Sequence, residues 1–267
     1  MRCERMTWPQ VAAYFKEHDT VLIAIGSLEN HGRQNPLGTD MLIPNKILDL
    51  MEERGCDYLI APSIPYGACD YFREFPGTIT IGEDGLYLIL SRVIEGFYQH
   101  GARHFAILNG HGGNDGAVER IAYELRNKGA ILTLLDWWNM VWDLDPKYKG
   151  GHGGGEETMG VMAIDESLVD KSQIDDMNLK EINDNFETLT FMSMRYKGVK
   201  VAIPRLVNEA TDNGWRGDDH PKYATKELGT KMLNDFADFA VDYLNEFKKV
   251  PLEKHDYVQD WINKNVK

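Results

Sequence analysis

Residues 21–40 read VLIAIGSLENHGRQNPLGTD, and this stretch indicates both the fold class and the position of a site. Residues 21–25 are apolar and rich in β-branched side chains, and the run ends at Gly26. A short apolar run of this kind is typical of a strand buried on both faces, as in a parallel sheet covered by helices. We therefore predict that residues 21–25 form a central parallel strand.

Strand and helix patterns alternate along the rest of the chain. Residues 57–62 repeat the apolar strand pattern weakly, and residues 103–108 and 130–135 repeat it clearly. Apolar side chains recur at helical spacing near residues 86–97 and 118–125, and a long helical pattern covers residues 221–249. This order predicts an α/β fold in which helices cover both faces of a mostly parallel sheet.

Composition limits the class of protein. Of the 267 residues 43% are hydrophobic, and no linker or repeat divides them, so we expect one domain over residues 1–267. The polar start and the short apolar runs argue against a secreted or membrane protein. A net charge of -13 without a basic stripe argues against a nucleic-acid partner. Cys3, Cys56 and Cys69 lack disulfide or metal spacing, which favours reduced thiols in a cytoplasmic protein.

Residues 165–190 are acidic, polar and only weakly periodic. Such charged stretches are usually solvated. We expect this segment to be a solvated excursion or a subunit contact, and not an active element.

A carboxylate and an imidazole follow the first strand at close spacing. Glu29 and His31 are two residues apart, and in extended backbone such a pair points to one side. Asp40 follows nine residues later, before a helix that we expect to begin at Pro44. Carboxylate oxygens and imidazole nitrogens suit Zn²⁺, Mn²⁺ or Fe²⁺. A hydrogen-bonded loop without metal is the alternative interpretation.

A second cluster, NGHGGND at residues 109–115, lies between a predicted strand and a predicted helix. Its glycines allow close approach of the backbone to a ligand, and His111 is a candidate ligand. The alternative is a phosphate cradle at the helix N-terminus, although the stretch matches neither common phosphate-loop pattern. Asn114 or Asp115 could cap the helix.

A third cluster, GGHGGGEET at residues 150–158, offers His152 together with Glu156 and Glu157. A glycine-rich hinge that carries a histidine can close over a substrate and supply a general acid or base. The alternative is a flexible surface turn. Because all three clusters follow elements of one predicted sheet, they predict a common site with enough ligands for two metal ions.

The three clusters together resemble the creatininase (creatinine amidohydrolase) family. The family pattern is roughly G(S/T)xExHGxHLPLGTD, then NGHGGN, then HAGxxET, and this chain has GSLENHGRQNPLGTD, NGHGGN and HGGGEET in the same order. Residues 65–78, PYGACDYFREFPGT, resemble the family's PYGxSxxHxxFPGT. Residues 213–229, NGWRGDDHPKYATKELG, resemble its GxxGDPxxATxEKG. The resemblance therefore spans most of the chain.

The resemblance implies a pair of divalent ions, Zn²⁺, Mn²⁺ or both, with Fe²⁺ as an alternative. Glu29, Asp40 and His111 would hold one ion. His31, Asp40 and Glu157 would hold the other, so that Asp40 bridges the two.

The resemblance also implies catalytic roles, a fold and an assembly. His152 and Glu157 match the family's catalytic positions, and His152 would pass a proton to the leaving group. Glu156 is the alternative to Glu157 as a ligand. The implied fold is a three-layer α/β sandwich, and family members commonly form homohexamers.

Three positions depart from the family's pattern. Phe72 stands where the family often has a histidine, and Gly113 stands where creatinine-hydrolysing members have a glutamate ligand. Tyr148 replaces a tryptophan of those members. These departures argue against creatinine itself as the substrate.

The resemblance implies a metal-dependent hydrolase in which activated water attacks a carbonyl of a small cyclic substrate, with amide C–N cleavage as the reaction. A ring-opening hydrolase of a keto-inositol and a formamide deformylase are alternatives within the family. A non-catalytic small-molecule-binding protein is the alternative of another class. Most aromatic residues near the third cluster are expected in the core, while one or two stack on a flat substrate; these residues are Trp137, Trp138, Trp142 and Tyr148.

Overall fold

The computed structural model describes residues 1–252, and the end of the predicted domain at residue 267 lies outside this range. A four-stranded parallel sheet has the strand order β2-β1-β3-β4. Its strands are β1 Thr20–Ile25, β2 Leu59–Ile60, β3 His104–Asn109 and β4 Ile131–Asp136. The predicted parallel sheet is therefore confirmed, although the weak pattern at residues 57–62 yields a strand of only two residues.

Helices connect these strands and continue beyond them. They are α1 Trp8–Glu17, α2 Thr39–Glu53, α3 Gly82–Gln99, α4 Asp115–Asn127, α5 Trp137–Leu144, α6 Gly155–Asp165, α7 Val207–Ala210 and α8 Lys226–Phe247. None of the described helices is both long and apolar enough to cross a membrane.

The sheet is buried on both faces because successive side chains of a strand point to opposite sides. Leu22 and Leu108 face a core that contains side chains of α2, α5, α6 and α8. Ile23 and Ile107 face a second core that contains side chains of α1, α3 and α4. The predicted three-layer arrangement of helices, sheet and helices is therefore confirmed.

Helix α2 begins earlier than the sequence suggested. It starts at Thr39, and Pro44 lies inside it, so the prediction that Pro44 starts the helix was wrong. Proline removes one hydrogen bond, the one its missing N–H would make to the carbonyl of Asp40 four residues earlier. The backbone of Gly26 and of Gly110 lies close to that carbonyl. A Cβ added at either glycine would overlap with its oxygen.

A separate antiparallel sheet follows α6 and was not predicted. Its strands are β5 Phe186–Thr190, β6 Ser193–Tyr196 and β7 Val199–Ala202, in the order β5-β6-β7. The segment at residues 165–190 is mostly exposed at its start, as expected for a solvated excursion. Its last residue, Thr190, lines the cavity described below, so the expectation that this segment takes no part in the site was wrong there.

Candidate metal centre

Four loops or helix starts bring the predicted ligands together at the carboxyl edge of the parallel sheet. Glu29 and His31 follow β1, Asp40 lies in the first turn of α2, and His111 follows β3. Glu157 lies in the first turn of α6. All five side chains are buried. Parallel α/β sheets place their ligand sites at this edge, because the loops after neighbouring strands meet there.

The five side chains form two groups that share Asp40. In the first, His111 Nδ1 lies 3.0 Å from Glu29 Oε1 and 3.3 Å from Asp40 Oδ2. In the second, His31 Nε2 lies 2.8 Å from Asp40 Oδ1 and 3.7 Å from Glu157 Oε2. Within each group the candidate ligand atoms all lie within 4.8 Å of one another. Asp40 thus offers a different oxygen to each group.

Both histidines are oriented as metal ligands usually are. His31 Nδ1 lies 3.1 Å from the carbonyl oxygen of Glu29, and His111 Nε2 lies 3.1 Å from that of Ala68. Because a carbonyl oxygen only accepts, these nitrogens carry the ring hydrogens. The other nitrogen of each ring, which faces the carboxylates, is then free to bind a cation.

Several atoms of the cluster make no hydrogen bond of normal geometry with any described residue. They are Glu29 Oε1, His31 Nε2 and Asp40 Oδ2. Unpaired polar atoms at buried positions cost free energy unless a partner binds there. A divalent cation is the partner that suits this set of oxygens and nitrogens.

The charges of the cluster also favour a cation. Burial lowers the pKa of His31, but Asp40 and Glu157 outweigh it and raise that pKa to about 10. The two histidines hold the pKa of Asp40 well below its usual range despite burial. Burial raises the pKa of Glu157 to about 7. Three carboxylates surrounding two imidazoles therefore create a site that gains by binding positive charge.

The two adjacent glutamates point in different directions. Glu157 faces His31 and accepts a hydrogen bond from the backbone N–H of Gly153 at 2.6 Å. Glu156 is also buried, but its carboxylate accepts a hydrogen bond from the indole of Trp142. Glu156 belongs to neither ligand group. The geometry therefore favours Glu157 over Glu156 as the candidate ligand.

His152 lies at the edge of the cluster. Its ring packs 4.4 Å from the ring of His31, and its Nδ1 lies 3.7 Å from Glu29 Oε1. Phe72, which stands where the family often has a histidine, stacks on His152 at 4.3 Å. A third possible ligand group, Glu29, His31 and His152, overlaps both of the others.

A cavity of about 240 Å³ opens over the cluster. Its floor includes Asp40, His111 and Glu157, and His152 forms part of its wall. The rest of the wall is largely aromatic or apolar, and it comprises Tyr71, Phe72, Trp138, Phe191 and Met192 together with Thr190 and the backbone of Gly110 and Gly112. No lysine or arginine is among the described residues that line it.

The predicted aromatic residues divide between core and cavity. Trp137 and Tyr148 are buried in the core beside α8, whereas Trp138 lines the cavity. Sequence reasoning missed Tyr71, Phe191 and Met192. Tyr71 lay in a stretch already aligned with the family pattern, one residue before Phe72. The turn between β5 and β6, which carries the other two, offered no comparable signal.

Asn114 does not cap α4 through its side chain, although it occupies the cap position. Its amide group instead donates to the carbonyl of Gly26 at 3.2 Å and accepts from the N–H of Ala68 at 3.0 Å. The side chain is therefore used to join the loops after β1 and β3 to the loop that carries Ala68. Of the two predicted cap residues, Asn114 thus holds the cap position without a capping bond from its side chain, and Asp115 is the first residue of the helix itself.

The fold and the site together define a class: a three-layer α/β protein with a paired carboxylate and imidazole cluster at the carboxyl edge of its sheet. Within this class, the chain matches the family model described as Creatininase: Creatinine amidohydrolase over residues 4–244. Because this match covers most of the chain, the protein belongs to the creatininase family. The resemblance inferred from the motifs is confirmed.

Two curated relatives act on different substrates. The chain is 30% identical to the 3-dehydro-scyllo-inosose hydrolase of Thermotoga maritima over 168 residues, which are 61% of this chain and 52% of that protein. It is 28% identical to the creatinine amidohydrolase of Pseudomonas putida over 194 residues, which are 64% of this chain and 74% of that protein. The matched region thus spans about half the length of the Thermotoga protein.

A solved structure supports the fold. A mutant creatininase of Zn-Zn type superimposes with a TM-score of 0.71 at 22% identity, covering 92% of this chain and 97% of that one. At this identity the similarity establishes the shared fold.

Proposed function

We propose that this protein is a divalent-metal-dependent hydrolase that cleaves an amide C–N bond of a small cyclic substrate. The observation that carries the proposal is the pair of ligand groups that share Asp40 at the floor of a cavity, with His152 at its edge.

The residues present fit two divalent ions per chain, Zn²⁺, Mn²⁺ or both, with Fe²⁺ as an alternative. Glu29, Asp40 and His111 would hold one, and His31, Asp40 and Glu157 would hold the other. Such a pair would polarise a carbonyl oxygen and lower the pKa of water toward neutrality. Ser27 donates to Glu29 Oε2 at 2.8 Å, so Oε1 of that carboxylate stays directed at His111.

His152 is the residue placed to move a proton. Its Nε2 donates to the carbonyl of Asn30 at 2.7 Å, so in the neutral ring Nδ1 carries the lone pair. Burial and the neighbouring His31 hold the pKa of His152 well below its usual value, which keeps the ring neutral. We infer that Nδ1 accepts the proton released when water attacks and then donates it to the leaving nitrogen.

The wall of the cavity favours a substrate with a flat apolar face. Its wall contains the aromatic rings of Phe72, Trp138 and Phe191 and no described lysine or arginine. Aromatic walls bind flat rings by stacking.

One observation favours a second candidate, ring opening of a keto-inositol. A Cβ added at Gly113 would overlap with the carbonyl oxygen of Ala68, so the glutamate of creatinine-hydrolysing members cannot be accommodated at this position. Similarity to the inosose hydrolase points to the same alternative. Creatinine itself is therefore the least expected of the family's substrates.

A hydrolysis screen with metal-reconstituted protein tests the proposal, using cyclic amides, formamides and keto-inositols. Asp40→Asn is expected to lower kcat by at least about 100-fold and to reduce metal content below about two ions per chain, because the side chain shared by both groups loses its charge and one of its two oxygens. Asp84→Asn is the matched control, since its side chain is fully exposed. Wild-type activity and metal content in the Asp40 variant would contradict the proposal.

We also propose that the chain is a single cytoplasmic domain that assembles as a homohexamer. The free thiols of Cys3, Cys56 and Cys69 support a reducing compartment, and the family resemblance supports the assembly. Light scattering of the purified protein tests the hexamer, and a monomeric mass would contradict it.

A further inference from the structure

The hydroxyl of Tyr71 lies beside the cluster, and the proposed reaction does not yet use it. The side chain is half-buried and lines the cavity. Its ring stacks on that of His111 at 6.0 Å and packs against Phe72 at 4.9 Å. Two ring contacts therefore fix the position of the Tyr71 ring at the cavity wall.

The hydrogen of this hydroxyl has no acceptor in His111. Tyr71 Oη lies 3.5 Å from His111 Nε2, its one hydrogen-bonding contact within residues 1–252. However, His111 Nε2 lies 3.1 Å from the carbonyl oxygen of Ala68, which can only accept, so this nitrogen carries a hydrogen. A nitrogen that donates cannot also accept from Tyr71. The hydroxyl hydrogen is therefore available to a molecule in the cavity.

The available donor lies beside one ligand group, whereas His152 packs on the other and also approaches Glu29 of the first. Tyr71 contacts His111, which belongs to the group with Glu29 and Asp40. His152 packs on His31, which belongs to the other group. A carbonyl compound in this cavity thus meets one hydroxyl donor and one imidazole at different parts of the wall.

We propose that Tyr71 is a further catalytic residue, whose hydroxyl donates a hydrogen bond to the carbonyl oxygen of the substrate. The proposal rests on the hydrolase function proposed above. The bond strengthens as negative charge develops on that oxygen during attack, so it stabilises the transition state more than the bound substrate. The hydroxyl keeps its proton throughout.

The test compares Tyr71→Phe with wild type in the zinc-loaded protein. The probe is acetohydroxamic acid, a small carbonyl compound that binds zinc, and its affinity is measured by calorimetry. Loss of one hydrogen bond should weaken binding about tenfold. With a substrate found in the screen, kcat should fall at least about tenfold while KM changes little. Tyr123→Phe is the control, since that hydroxyl is exposed and bonds Glu119 on the same helix.

Each outcome bears on Tyr71 separately from the hydrolase function. Wild-type affinity for the probe in Tyr71→Phe would overturn the proposal, and so would failure of the wild-type protein to bind the probe. Loss of zinc or of thermal stability in the variant would assign Tyr71 a structural role and overturn it as well. Weaker probe binding without turnover of any substrate by wild type would support the donor and contradict the hydrolase.

Discussion

Asp40 connects the two halves of the site through its two carboxylate oxygens. Oδ1 lies 2.8 Å from His31 and Oδ2 lies 3.3 Å from His111, so each oxygen serves a different ligand group. The position of this side chain depends on the first turn of α2, where the helix N-terminus also favours negative charge. A change at Asp40 is therefore expected to affect both groups together.

The adjacent glutamates of α6 allow a matched comparison. Glu157→Gln should lower metal content and reduce kcat by at least about tenfold, because an amide is a weaker ligand than a carboxylate. Glu156→Gln should keep its metals, because its carboxylate bonds Trp142 and lies in neither group. Elemental analysis and steady-state kinetics of both variants measure the difference. Equal metal loss in the two variants would show that the ligand position is wrongly assigned.

Sequence alone could indicate the ligands but not the cavity wall. Glu29 and His31 could be recognised because residues two apart in an extended segment after a strand point to the same side. His111 could be recognised because it lies in the motif NGHGGN between a predicted strand and a predicted helix. Phe191 reaches His152 from a turn almost 40 residues further along the chain, with ring centroids 5.9 Å apart. No periodicity or motif records such a contact, because it depends on how the second sheet packs.

At the scale of elements, α6 and α8 pack closely because one residue lacks a side chain. A Cβ added at Gly229 of α8 would overlap with the carbonyl oxygen of Met159 in α6. Both helices belong to the core on the α2 side of the sheet. The distance between α6 and α8 thus depends on a glycine that is far from the cluster in sequence. Because the first turn of α6 carries Glu157, this distance affects the position of that ligand.

Gly229→Ala should lower the free energy of unfolding by about 1 to 3 kcal/mol, because the helices must separate to admit the methyl group. Gly96→Ala in α3 is the control, since a Cβ there meets no atom within 4 Å. That substitution should raise stability by about 0.5 to 1 kcal/mol through helix propensity. Urea unfolding of the two variants measures both effects. A Gly229 variant as stable as wild type would show that the helices are not in close contact.

The parallel sheet was predictable from sequence because its strands are continuous apolar runs. The sheet of β5, β6 and β7 was not, since its strands are only four or five residues long and partly exposed, and each contains polar residues. The start of α2 was mispredicted because Pro44 favours a first-turn position in general, whereas here the helix begins at Thr39.

At the scale of the whole molecule, the two ends of the sheet have different roles. The carboxyl end carries the ligand cluster, and the amino end joins separate parts of the chain. His104, the first residue of β3, lies 3.0 Å from the carboxylate of Asp19 before β1. Its Nε2 lies 2.9 Å from the carbonyl of Val250, just after α8. This histidine therefore connects the sheet to the end of α8.

This connection predicts a pH dependence of stability. Burial lowers the pKa of His104, but hydrogen bonds to Asp19 and to the Val250 carbonyl outweigh it, so the folded-state pKa is raised. The stabilisation is fully present below the unfolded pKa of about 6.5 and is lost as pH rises through the folded value. His104→Gln should therefore destabilise the protein more at about pH 5.5 than at about pH 9. Urea midpoints at both values measure this, and an equal effect would contradict it.

The packing around the Asp40 carbonyl has a consequence for sequence change. Pro44 withholds its hydrogen bond from that carbonyl, and Gly26 and Gly110 leave no room for a Cβ beside it. None of these three residues carries a functional group. Each nevertheless lies against the backbone of Asp40, whose carboxylate serves both ligand groups. A library that randomises this protein and selects for metal binding should therefore return few variants altered at positions 26 and 110. The aromatic residues of the cavity wall should accept many replacements. New substrate preferences would arise there.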